Sequence, residues 1–247
     1  MATTYDVFAD FYDSLTLNVD YKRRADYIMK AFEKHNHNMG LTLDLACGTG
    51  NLTIEFKKCG VDIYGIDGCQ EMLSQALNKA YDEELQILFL CQQMENIDLY
   101  GTIDTCVCTL DSINHITDID KVQRTFDKVS LFMNKGGCFL FDVNTVYKHR
   151  EILGNNTFVY DTDNVYCVWQ NTLKENDVVE IDLDFFEEDN GAYYRSEQHF
   201  SERAYSYEQL TEMLEKAGFK VEAVYGDMTF EKPQESEQRV IYIARKI

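Results

Sequence analysis

The chain has 247 residues, 45% of them hydrophobic, enough to bury a full core in one domain with an insertion. Its 43 acidic residues against 23 basic ones leave a formal charge of −20, a field that repels phosphate backbones and disfavours a nucleic-acid substrate. The longest apolar runs, such as 138–141, are strand-length, short of the roughly 20 residues of a membrane span, and no leader pattern opens the chain, so a cytoplasmic location is expected.

Tyr21, Ala25, Ile28, Met29 and Phe32 recur at helical spacing over 20–34, with Lys22, Arg23 and Arg24 read as the exposed side. Residues 41–46 form a short apolar strand that runs into a glycine turn, and a helix follows from about Asn51. A second strand, 61–67, ends in an acid, and 70–80 is helical, with Met72, Leu73, Ala76 and Leu77 on one face. Strands over 85–91 and 103–110 come next, then a helix over 119–133 that Lys135-Gly136-Gly137 stops, then a strand over 138–143. Strand and helix alternate throughout, which predicts an α/β fold with a parallel sheet and helices on both faces. Ligands bind such sheets beyond the carboxyl ends of the strands, at the point where strand order reverses.

The period then changes to two. Val165, Cys167 and Trp169 alternate with polar or outward positions, as do Val179, Ile181, Leu183 and Phe185, and later Tyr194, Ser196, Gln198 and Phe200. Hairpin turns fall at 174–177 and, with an Asn-Gly pair, at 189–191. The expectation is a three-stranded antiparallel meander over 151–200, inserted into an α/β domain made of 1–150 and 201–247. Tyr193, Arg195 and His199 share one face of its last strand and either point into a site beneath it or face solvent. A helix over 206–217 and strands over 220–225 and 239–244 close the chain. The meander's edge strands carry many charges, and monomer and homodimer both remain open. The eight cysteines include no C-x-x-C pair, so free thiols are expected and no metal site.

The strongest local signal is Asp44-Leu45-Ala46-Cys47-Gly48-Thr49-Gly50 at the end of the first strand. Glycines there let backbone N–H groups approach a ligand. Yet the spacing is not G-x-G-x-x-G, and an acid stands four residues before Gly48, which suits a ligand carrying positive charge. The string resembles the first motif of class I S-adenosylmethionine methyltransferases, and the resemblance extends over about 41–143 and 206–246. It implies a Rossmann-like seven-stranded sheet, closed by an antiparallel pair, with the meander as a lid. Small-molecule N-methyltransferases of the sugar-amine and glycine type are closest in layout.

The resemblance implies site residues as well. S-adenosyl-L-methionine would meet Asp44, Ala46, Cys47, Gly48 and Gly50 at its methionine end. Asp67 would take the ribose hydroxyls, with Gly68 and Met72 beside the ribose and adenine; Met72 is equally a core residue. Gln93 stands where many members carry an acid, and its carbonyl still accepts a hydrogen bond from the adenine amino group, while Met94 offers a backbone N–H. Leu110, Asp111 and His115 follow the fourth strand, where acceptor and methyl group meet. Asp111 would hold a cationic or hydroxyl-bearing acceptor and His115 would orient an amine or remove its proton; the plain alternative is a turn cap and a surface histidine. Tyr12 and Tyr21 would close on the sulfonium and carboxylate from the N-terminal side, or simply pack. The implied reaction is methyl transfer to a small-molecule acceptor, an amine nitrogen by preference, since no oxygen-activating constellation is evident. Three rivals stand beside it: a nicotinamide-dependent enzyme, a protein that binds the cofactor without turnover, and a protein or RNA methyltransferase. The acceptor's identity is not legible.

Overall fold

The computed structural model describes residues 19–162, 165–189 and 191–247. The first described helix, α1 (Tyr21–Lys34), starts where the Asp20 side chain accepts from Arg23 N, and it buries Ala25, Ile28, Ala31 and Phe32. Arg24 departs from expectation. It is 8% exposed and paired with Asp142 at 3.1 Å and Asp227 at 3.5 Å, because its position faces the sheet.

The α/β segment then runs β1 (Leu41–Leu45), α2 (Asn51–Lys58), β2 (Asp62–Asp67), α3 (Gln70–Asp82), β3 (Phe89–Cys91), β4 (Ile103–Cys108), α4 (Ile119–Phe132) and β5 (Met133–Asn144). After the insertion come α5 (Tyr207–Lys216), β10 (Phe219–Gly226) and β11 (Arg239–Lys246). The seven strands lie in the order β10-β11-β5-β4-β1-β2-β3. β1 to β5 pair in parallel, and β11 runs antiparallel to both β5 and β10. This is the mixed seven-stranded sheet expected. Successive strand residues serve opposite faces: Phe139, Phe141 and Val143 pack with α4 and α5, whereas Cys138 and Leu140 pack with α1 and α2. The third strand is shorter than expected, because the chain leaves the turn at Glu84, at φ +56°, with Leu85 N still bonded back to Ala80 O, and reaches β2 only where Leu88 O accepts from Gly65 N at 3.0 Å.

The insertion is a four-stranded antiparallel sheet, not a three-stranded one. β6 (Thr157–Asp161), β7 (Val165–Leu173), β8 (Val178–Asp189) and β9 (Ala192–Arg203) form a meander in that order. β6 escaped sequence reading because all its residues are half-exposed or exposed, so its apolar residues give no alternation. The β7–β8 connection holds Asn176 and Asp177 at φ +59°, the left-handed pair a tight hairpin demands. Cys167, Val179, Ile181, Leu183 and Phe185 give the sheet a core of its own. Tyr193, Arg195 and His199 face outward. Arg195 pairs with Asp184 at 2.6 Å and His199 with Asp182 at 2.7 Å, and all three residues are exposed. No described helix is long and apolar enough to cross a membrane.

Candidate active site

β1 and β4 are neighbours whose chain continuations leave in opposite directions, so a crevice opens at their carboxyl ends. Tyr21, Asp44, Ala46, Cys47, Gly48 and Leu110 line a cavity there. Thr49, Asn51, Thr109 and Ser112 line it too, though none of the four was among the expected cofactor contacts. Both strand ends turn sharply. Ala46 (φ +60°), Leu110 (φ +56°) and Asp111 (φ +54°) all hold left-handed backbone, which non-glycine residues adopt at a cost.

Asp142 on β5 fixes the second turn. Its carboxylate accepts from Leu110 N at 2.9 Å and Asp111 N at 2.7 Å, while Arg24 and Arg239 flank it at 3.1 and 2.8 Å. An acid within an apolar strand was the signal available in the sequence.

On the first turn, Gly48 N donates to Asp67 Oδ2 at 2.8 Å, and Cys69 N donates to Asp67 Oδ1 at 2.8 Å. Burial raises the Asp67 carboxyl and those amides pull it back. Each of its oxygens retains a lone pair for a ligand hydroxyl. A Cβ built on Gly48 meets nothing within 4 Å, so this backbone forms an open ledge. Asp44 is 2% exposed and accepts from Thr53 Oγ1 at 2.5 Å. Burial pushes its carboxyl up to about 7, against the pull of Thr53.

The remaining expected residues spread around this centre. Gly50 packs against α3: a Cβ there would lie 2.8 Å from Ala76 Cβ. Gly68 is covered by Gln93, whose Nε2 donates to Gly68 O at 3.4 Å. Met72 is buried on α3, and Met94 packs at the edge of the core. Tyr12 lies outside the described residues. A ligand with an ammonium, vicinal hydroxyls and a charged centre fits this donor set: a buried acid, a fork-shaped acid and an open ledge.

Asp111 and His115 belong to a second, polar cluster behind the same turn. Arg239 Nη2 donates to Asp111 Oδ1 at 2.6 Å, and Asn144 Nδ2 donates to Asp111 Oδ2 at 2.7 Å. Burial alone would raise the Asp111 carboxyl, but Arg239, Lys148 and His115 hold it well below the usual carboxylate range. Glu202, from β9, comes within 3.7 Å of both His115 Nε2 and His149 Nε2. Glu202, Lys148, His149, Asn144 and Arg239 carry no local sequence signal, since four elements must meet before they form a group.

Residues 42–137 match the methyltransferase domain family. YqeM of Bacillus subtilis (strain 168), a protein carrying a methyltransferase name, is 32% identical over 98% of this chain and 97% of its own length. A crystal structure of an S-adenosylmethionine-dependent methyltransferase from Clostridium acetobutylicum ATCC 824 is 34% identical, with a TM-score of 0.89 over 98% of both chains. The sugar N-methyltransferase KedS8 from Streptoalloteichus superposes with a TM-score of 0.79 over 100% of this chain and 94% of its own, at 17% identity.

Proposed function

The chain belongs to the S-adenosylmethionine-dependent methyltransferases, and from that premise we propose that it methylates an amine nitrogen of a small molecule in the cytoplasm. The observation that carries this reading is the polar cluster at Asp111, His115 and Glu202, which adjoins the cofactor cavity through the turn 109–112. The architecture shared with sugar N-methyltransferases supports it.

When bound, S-adenosylmethionine supplies a methyl group already activated on a sulfonium, so the protein's task is alignment in a dry site. Asp44 takes the cofactor's ammonium, the Gly48 ledge lies along its methionine end and Asp67 holds the ribose hydroxyls. Gln93 and Met94 serve the adenine. Tyr21 closes over the charged end. The antiparallel sheet β6 to β9 serves as the lid over the acceptor. The excess of negative charge disfavours RNA, and a neutral amine needs no strong base to attack.

The test is transfer of labelled methyl from S-[methyl-3H]adenosylmethionine to matched pairs of small acceptors. Each pair is an amino sugar and the same sugar with hydroxyl in place of amine. Label confined to the amines supports the reading. Label in the hydroxyl forms, or in RNA or protein instead, overturns it.

A further inference from the structure

The Glu202 carboxylate is a buried acid that lacks what such a group needs. It is 4% exposed, yet among the described residues its only hydrogen bond comes from Asn144 Nδ2, at 3.4 Å. An imidazole Nε2 stands 3.7 Å from each oxygen: His115 beside Oε1 and His149 beside Oε2. His149 is fully buried, and its Nδ1 lies 2.9 Å from Asp177 O. A carbonyl can only accept, so Nδ1 carries the proton and Nε2 is a bare lone pair. That atom has no hydrogen-bond partner. The Glu202 carboxylate and the bare His149 Nε2 are therefore acceptors facing each other, and the group that satisfies them must bring N–H or O–H bonds or positive charge.

The spacing admits an amine: two of these atoms, His115 Nε2 and Glu202 Oε1, are 3.7 Å apart, wider than ligands of one metal ion. Asp111, His115 and Glu202 each offer an atom within 4.8 Å of the other two. A primary amine nitrogen donating its two hydrogen bonds at ordinary length spaces the two acceptors by about 4.6 Å and keeps its lone pair free. A metal bound at about 2.1 Å would draw its ligands to roughly 3.0–3.4 Å from one another. Charge decides the same way, because Arg239 at 2.6 Å from Asp111, together with Lys148, opposes a divalent cation. Lys148 does not fill the socket itself: its Nζ donates to Asn144 Oδ1 at 2.9 Å.

Resting on the amine reading above, we propose that Glu202, with His149, Asp111 and His115, forms the socket for the acceptor nitrogen and makes Glu202 a catalytic residue. The socket accepts the N–H bonds of a primary or secondary amine and leaves its lone pair toward the cofactor cavity. The new N–C bond forms as the C–S bond breaks, with that electron pair going to sulfur. The nitrogen is then positive and sheds one proton to the Glu202 carboxylate. Burial and the neighbouring Asp111 raise that carboxyl, which suits it to take the proton.

Sinefungin tests this without the acceptor in hand, since it carries an amine-bearing carbon in place of the methylated sulfonium. Calorimetry would compare sinefungin with S-adenosylhomocysteine, on the wild type and on Glu202→Gln. Wild type is expected to prefer sinefungin by tenfold or more. The variant should lose that preference and keep its S-adenosylhomocysteine affinity within twofold, which also shows that it folds. A preference as large in Glu202→Gln as in wild type overturns the proposal. Should the variant not fold, wild type alone decides. Its sinefungin preference should vanish as Glu202 protonates on acidification, with Asp111, His115, Lys148, His149 and Arg239 the other charged groups around it. A preference unchanged at every pH at which the protein stays folded overturns the proposal. A Glu202-dependent preference with no methylated amine in the panel above would fault the acceptor reading and leave the socket standing.

Discussion

At the scale of single residues, the cofactor cavity contains an acid whose charge depends on what binds beside it. Asp44, pushed up to about 7 by burial, is half neutral near pH 7 in the free protein. A bound ammonium favours the ionised form and lowers that carboxyl again, so binding below pH 7 releases a proton. Affinity for S-adenosylhomocysteine should then level off above pH 7 and fall by up to about tenfold per unit below it. Calorimetry from pH 6 to 8 in buffers of different ionisation heat reads both the slope and the proton. An affinity independent of pH, or an identical slope in Asp44→Asn, would remove Asp44 from the ammonium site. Asp142 works differently: it is fully buried and holds the turn 110–111 without facing the cavity, as a positioning residue.

At the scale of elements, the two glycines of the first turn do separate jobs. Both have left-handed backbone, at φ +54° for Gly48 and φ +76° for Gly50. Only Gly50 is crowded, with Ala76 Cβ 2.8 Å and Phe89 Cζ 3.3 Å from an added Cβ. This turn is the joint between β1, α2 and α3, so Gly50→Ala should cost roughly 1–3 kcal/mol of stability through overpacking, on top of backbone strain. Gly48→Ala should cost only the strain, about 1–2 kcal/mol, but place a methyl on the ledge and weaken S-adenosylhomocysteine binding. Denaturant melts and calorimetry on the two variants separate the effects. Greater binding loss in Gly50→Ala at unchanged stability would reverse these roles.

At the scale of the whole molecule, one buried amide fastens the antiparallel sheet to the α/β unit. Asn114 is fully buried; its Oδ1 accepts from Asn144 N at 2.9 Å, and its Nδ2 donates to Asn144 O at 3.1 Å and to Arg203 O at 2.9 Å. It thereby sets the end of β9, and with it Glu202, against β5. Asn114→Ala leaves these backbone groups unpaired in the interior and should cost about 3 kcal/mol. Hydrogen exchange should rise at the β9 end near Arg203 and stay unchanged in β7. Uniform exchange across both sheets would mean that the two units are held together elsewhere.

The sequence alone determined the α/β order, the glycine turn and its acids, because these rest on contacts within a strand, a turn and the following helix. Period and turn chemistry encode such contacts directly. Asp44, Gly48 and Asp67 were legible for that reason, and so were the hairpin at 174–177 and the late helix. β6 was not, since an exposed edge strand carries no alternation. Arg24 was misjudged because its charge said surface while its helix position faced the sheet. How the polar cluster around Asp111 and Glu202 assembles was decided by tertiary structure. Asp111 and His115 stood out in the sequence, but Asn144, His149, Glu202 and Arg239 come from four other places in the chain, and each looks ordinary where it stands. Burial at one point, with too few hydrogen-bond donors between them, gives the group its chemistry.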